Sequence, residues 1–179
     1  VLNLDDIIEN VIIVDSISKR YSMCGARIGC VVSRNKKIIN TALKFSQARL
    51  SPPIFGQLAG IEALNTKQSY FTKVIKEYTK RRNILVDGLN TIPGVKCPRP
   101  KGAFYCIAEL PVDNTEKFCR WLLEKFHFQN TTIMLAPASG FYSTDNSVNN
   151  QVRIAYVLEV EKLKLAIKIL QKGIEEYNN

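Results

Sequence analysis

The sequence predicts an α/β fold laid out in two sections, and three observations carry that prediction. Short apolar runs rich in β-branched residues alternate with stretches of helical spacing. A dense cluster of turn formers, "PGVKCPRPKG" (93–102), breaks the pattern near the middle of the chain. A long helical stretch just before that cluster bridges the two sections.

Taken in order, "VIIVD" (11–15) is a continuous apolar run and reads as a buried strand, and "RIGCVVS" (27–33) reads as a second. "NKKIINTALKFSQARL" (35–50) is helical, with Ile38, Ile39, Ala42 and Leu43 on one side. "SPPIFGQLAGIEALN" (51–65) opens on prolines suited to a first helical turn. A bridging helix is expected over roughly 68–90, with Phe71, Val74, Ile75, Tyr78, Leu85 and Leu89 inward. After the turn cluster, "AFYCIAEL" (103–110) is a strand and "NTEKFCRWLLEKF" (114–126) a helix capped by Asn114 or Thr115. "TTIMLAP" (131–137) and "QVRIAYVL" (151–158) are strands. A last helix starts near Glu159 and turns Val160, Leu163, Ile167, Leu170 and Ile174 inward. Two strands are too few for the sheet of the first section, so the chain is expected to be part of something longer. The lack of an initiator Met points the same way.

Composition narrows the class. The 179 residues are 46% hydrophobic and 23% charged, enough for one sizeable core or two small ones. No apolar run reaches the roughly 18 residues a membrane span needs. The first residues, "VLNLDDIIEN", are acidic where a leader would be basic. Five scattered cysteines without a metal-ligand spacing suit reduced, mostly core thiols, and a cytoplasmic setting is expected. The single histidine, His127, is read as structural or surface. A net charge of +9 raises nucleic acid as a partner. The positives are interleaved with Glu on helices, however, which solvated faces explain, so neither nucleic acid nor membrane is expected.

The chemistry concentrates in "SISKRYSMCGARIG" (16–29). Lys19 lies just past a strand, where open α/β sheets place ligands. Ser16 and Ser18 bring hydroxyls suited to an anion, and Arg27 brings a planar fork that matches two phosphate oxygens. A neighbouring cation and partial desolvation lower a lysine toward the neutral, nucleophilic amine. A phosphate-bearing aldehyde uses all of these features together.

Those fourteen residues resemble the cofactor-lysine signature of class I aminotransferases, which are fold-type-I enzymes of pyridoxal 5′-phosphate. The likeness continues through "SPPIFGQLAGIEAL", "KGAFY" (101–105) and "QVRIAYV" (151–157), closest in flavour to aspartate aminotransferases. It implies an incomplete fold type I: residues 1–80 as the end of the large cofactor-binding domain and 81–179 as the small C-terminal domain. It implies that Lys19 holds the cofactor covalently and later moves a proton. Ser16 and Arg27 would hold the phosphate, and Arg153 the substrate α-carboxylate. Substrates would be an amino acid, with aspartate the first candidate, and a 2-oxo acid; the whole enzyme would be a homodimer. Ser18 and Tyr21 would stand behind the site, Arg49 at the surface, and the aromatics of "GFYSTDN" (140–146) beside a turn.

The resemblance also implies groups that do not occur here. The acid that pairs with the pyridine nitrogen, the ring-stacking aromatic and the glycine-rich phosphate segment lie well upstream of the lysine in the family. Only 18 residues precede Lys19, and Asp5, Asp6 and Asp15 are too close to it to substitute. The 179 residues alone are therefore expected not to catalyse transamination. The same signature would serve a carbon–sulfur lyase, a decarboxylase or a non-catalytic effector-binding module.

Overall fold

The computed structural model describes residues 1, 3–143 and 149–179, and the chain divides into two units, Val1–Gln68 and Ser69–Asn179.

In the first unit, β1 (Ile13–Ser16) pairs antiparallel with β2 (Gly29–Val32), Ser16 opposite Gly29 and Ile13 opposite Val32. Between the strands lie a single helical turn, α1 (Ile17–Arg20), and a 3-10 turn, Cys24–Ala26. Two helices follow, α2 (Lys36–Arg49) and α3 (Ile54–Ala63). Asn35 starts α2 by accepting from the amides of Lys37 and Ile38 at 3.0 and 3.3 Å, which satisfies donors the first helical turn leaves open.

The two strands differ from the sequence expectation in one respect: they are not buried. Val14 is 77% exposed, and all four residues of β2 are exposed. The β-branched content specified strand, as expected. It could not specify what covers the strand, and a two-stranded ribbon has no second layer of its own.

The second unit carries its own core. Helix α4 (Gln68–Leu89) leads through the turn-rich stretch to β3 (Tyr105–Glu109), followed by α5 (Thr115–Glu124), β4 (Ala136–Pro137), β5 (Gln151–Ala155) and α6 (Val160–Tyr177). The sheet order is β3-β5-β4, antiparallel throughout. Period-2 alternation sends Cys106, Ala108 and Val152 into one buried cluster with Leu85 and Leu89 of α4, Phe118 and Leu122 of α5, and Leu163, Leu170 and Ile174 of α6. The other face of the sheet carries Tyr105, Ile107 and Arg153, all partly open. Of the two expected caps, Asn114 is the one that holds α5, accepting from the amides of Glu116 and Lys117.

Here too the strand expected over 131–137 is shorter, reduced to Ala136–Pro137. The Thr131 backbone is spent on Phe128 instead, accepting from its amide at 2.8 Å and donating to its carbonyl at 3.1 Å, so the start of the expected strand is tied into a tight turn. Of the expected inward stripe of α4, Ile75 is 64% exposed. Several lysines and arginines pair with acids one helical turn away, Arg81 with Glu77 at 2.7 Å and Lys164 with Glu161 at 3.0 Å among them. No helix among the described residues is long and apolar enough to cross a membrane.

Candidate active site

The first unit brings Ser16, Lys19 and Arg27 to one end of the β1–β2 ribbon. Ser16 ends β1 and caps α1: its Oγ accepts from the Ser18 amide at 3.2 Å and donates to the Ile28 carbonyl at 3.4 Å. That second contact reaches the residue next to Arg27, so the cap fixes the serine against the arginine's turn. Ser18 is buried, and its carbonyl accepts from the Met23 amide at 3.1 Å. Lys19 stands exposed on α1, one residue from the pinned backbone. It enters no ion pair among the described residues. The neighbouring Arg20 is committed to Asp15 at 2.9 Å, and Asp15 also accepts from the Ser16 amide at 2.7 Å. Asp15 is thereby a structural brace for the capping serine.

Arg27 has a backbone that an arginine does not choose freely. Its φ of 55° and ψ of 43° are left-handed, a region natural to glycine and costly for a residue with a Cβ. Arg27 Nη1 donates to the Cys24 carbonyl at 3.0 Å, closing the turn on itself. Among the described residues no carboxylate neutralises it, so most of its donor fork is open. Strained residues of this kind persist where the surroundings over-determine them, and they concentrate at ligand sites. The surroundings here include α3. A Cβ on Gly56 would stand 2.4 Å from the Ala26 carbonyl, so only glycine lets the helix back the turn this closely. Gly29 plays the same part across the ribbon, where a Cβ would stand 2.9 Å from the Asp15 carbonyl.

Arg27 also lines an open groove of about 630 Å³ with Asp15, Gly29, Cys30, Pro52 and Arg49. Arg49 is exposed at the end of α2, in keeping with its surface reading, but it shares this groove with Arg27.

In the second unit, Arg153 sits mid-strand on β5, opposite Ile107 of β3 and Ala136 of β4. Its guanidinium lies over two rings, 4.8 Å from the Tyr105 centroid and 4.1 Å from that of Phe141. Among the described residues it forms no ion pair. Phe141, expected to pack beside a turn, is on the 3-10 turn Ser139–Phe141, and its ring also covers the arginine. Thr144, Asp145 and Asn146 of the same stretch lie outside the described residues. Alternation along β3 is the signal that could have put Tyr105 on the Arg153 face. Nothing local marks Phe141 or Gly56, whose contacts are made across long sequence separations.

The family model for aminotransferase class I and II matches residues 1–170. The chain belongs to the class I and II aminotransferases. Members of this family are enzymes of pyridoxal 5′-phosphate, and the fold is an incomplete fold type I. The chain is 34% identical over 171 residues to an aspartate aminotransferase of Pyrococcus horikoshii, covering 93% of this chain and 42% of that protein. It is 30% identical over 177 residues to the (5-formylfuran-3-yl)methyl phosphate transaminase of Methanocaldococcus jannaschii, covering 98% and 45%. The crystal structure of an aromatic aminotransferase from Pyrococcus horikoshii superposes with a TM-score of 0.81 at 28% identity, covering 98% of this chain and 46% of that one. The chain thus spans less than half the length of these relatives.

The residues present fit the family's cofactor in part. A primary amine, an unneutralised guanidinium and a serine hydroxyl at one ribbon end are the donor set for an aldehyde bearing a phosphate. Asp15, four residues before Lys19 in the sequence, is paired with Arg20, which supports the reading that it does not serve the cofactor ring.

Proposed function

We propose that these residues supply the lysine, part of the phosphate grip and a carboxylate reader of a pyridoxal-phosphate aminotransferase acting between an amino acid and a 2-oxo acid. Aspartate is the first candidate donor, since several of the matching relatives carry that name. The observation that carries the reading is the left-handed, unneutralised Arg27 one residue from the Ile28 carbonyl that Ser16 Oγ reaches, with Lys19 exposed on the turn between them.

The cofactor, when bound, supplies an aldehyde and an electron-withdrawing ring that stabilises charge at the substrate α-carbon. Lys19 Nζ is the amine that would anchor the aldehyde, and once released it is the base that would take the α-proton. Arg27 and Ser16 would hold the phosphate, the guanidinium through two in-plane donors and the serine through its hydroxyl. Arg153 would orient a substrate carboxylate through its in-plane edge. The assignment of 1–80 to the large domain and 81–179 to the small domain belongs to the same reading, as do a cytoplasmic setting and a homodimeric whole enzyme. In its support, the first unit leaves Phe45, Leu50, Phe55 and Leu64 more than two-thirds exposed, an apolar surface suited to covering by further protein.

The 179 residues alone are expected to take up pyridoxal phosphate without turnover. The test is a spectral titration with the cofactor, followed by aspartate and 2-oxoglutarate. Lysine-dependent uptake without oxaloacetate release fits the proposal. Steady oxaloacetate release would show that the chain is catalytically sufficient, and uptake unchanged in Lys19→Ala would remove the site.

A further inference from the structure

Phe141 is a large apolar side chain that the core does not use. It is 54% exposed, and its ring contact is with the guanidinium of Arg153, 4.1 Å from the centroid. Its backbone is nonetheless held on several sides. The Phe141 amide donates to the Ala138 carbonyl at 3.0 Å, and the Ala138 amide donates to the Gln151 carbonyl at 2.9 Å. Tyr142 Oη donates to Gln151 Oε1 at 2.6 Å, and Ser139 Oγ donates to Glu116 Oε1 at 2.8 Å. Gln151 stands two residues before Arg153 on β5, so the turn is tied to the strand that carries the arginine.

We infer that Phe141 is a positioning residue for Arg153: with Tyr105 it holds the guanidinium plane, so that the in-plane N–H edge stays free for a carboxylate. The inference rests on Arg153 being the carboxylate reader proposed above. A long arginine side chain on an open sheet face is otherwise mobile, and that mobility must be lost when a planar bidentate pair forms. A ring face attracts the cation electrostatically, and a guanidinium lying flat on it is covered on its faces alone. The donors lie in the plane and remain available. Two rings therefore restrict the motion before the ligand arrives. The absence of an ion pair to Arg153 among the described residues agrees, since a carboxylate partner would occupy the same edge.

The test uses the full chain labelled with ¹⁵N-arginine, with the Arg153 Nε–Hε signal assigned through Arg153→Lys and followed during titration with 2-oxoglutarate. The wild-type signal should be displaced by ring current and should shift saturably with 2-oxoglutarate. Phe141→Leu should move it toward the exposed arginines and weaken 2-oxoglutarate binding about two- to five-fold, with the thermal midpoint unchanged. Phe141→Trp should restore both. Phe141→Leu that leaves signal position and affinity at wild-type values overturns the positioning role, as does failure of Phe141→Trp to restore them. A displaced wild-type signal that ignores 2-oxoglutarate overturns the carboxylate reading and the purpose assigned to Phe141 with it. The two failures are distinguishable because only the second leaves the ring-current displacement in wild type sensitive to Phe141→Leu.

Discussion

Replacing Arg27 by glycine and by alanine separates its backbone from its charge. Both variants delete the guanidinium and its 3.0 Å bond to the Cys24 carbonyl, so they differ only in a methyl group at a residue with φ of 55°. Left-handed backbone costs a residue with a Cβ about 1–2 kcal/mol, a cost glycine escapes. Glycine gives back about 0.5–1 kcal/mol through its freer unfolded chain. The glycine variant should therefore be the more stable of the two by about 0.5–1 kcal/mol. With a urea slope of about 1 kcal/mol per molar, suited to a small unit, the midpoints should differ by about half to one molar. Each should bind inorganic phosphate about tenfold or more weakly than wild type, the effect of losing a charge-assisted hydrogen bond. Urea denaturation followed by circular dichroism and phosphate titration by calorimetry give the two readouts. An alanine variant as stable as the glycine variant would refute the strained-turn argument. Phosphate binding unchanged in both would refute the role of the side chain.

Two further perturbations test neighbouring parts of the account. Gly56→Ala places a Cβ 2.4 Å from the Ala26 carbonyl, about 1 Å inside ordinary contact. Despite the better helix propensity of alanine it should lower the first unit's urea midpoint and weaken phosphate binding, and a stabilised variant with wild-type binding would contradict the packing of α3 on the turn. In the second unit, Tyr177 Oη donates to Asp113 Oδ1 at 2.9 Å and holds that carboxyl below its ordinary range. A depressed carboxylate stabilises the fold above its unfolded value and loses that contribution as pH falls through the folded value. Tyr177→Phe should therefore raise the Asp113 titration midpoint in NMR and lose more stability near neutrality than in acid. An unmoved midpoint would assign the depression to another group.

The legibility of each feature in the sequence depends on where its contacts lie. Helices α2, α4, α5 and α6 and the Asn114 cap are local features, set by spacing and by a side chain two or three residues from its partner, and they were readable. The α/β class was readable from the alternation of short apolar runs with helical spacing, and the lysine signature because Ser16, Lys19 and Arg27 lie within twelve residues of one another. The burial expected for "VIIVD" and "RIGCVVS" was not obtained, because apolar content reports what a strand can tolerate and not what lies against it. Gly56 beneath Ala26 and Phe141 over Arg153 were illegible, since each depends on two elements meeting through tertiary packing. The left-handed Arg27 was hidden for a related reason: no rule of propensity selects arginine there, and only the surrounding turn explains it.

Borohydride trapping decides whether Lys19 is the amine that meets the cofactor. The chain is incubated with stoichiometric pyridoxal phosphate, reduced, digested and mapped by mass spectrometry. A phosphopyridoxyl group on the Lys19 peptide, abolished in Lys19→Ala and diminished in Arg27→Ala, is the predicted result. Label spread over the exposed lysines of α2, α4 and α6, with the Lys19 peptide no more modified than the rest, would contradict it.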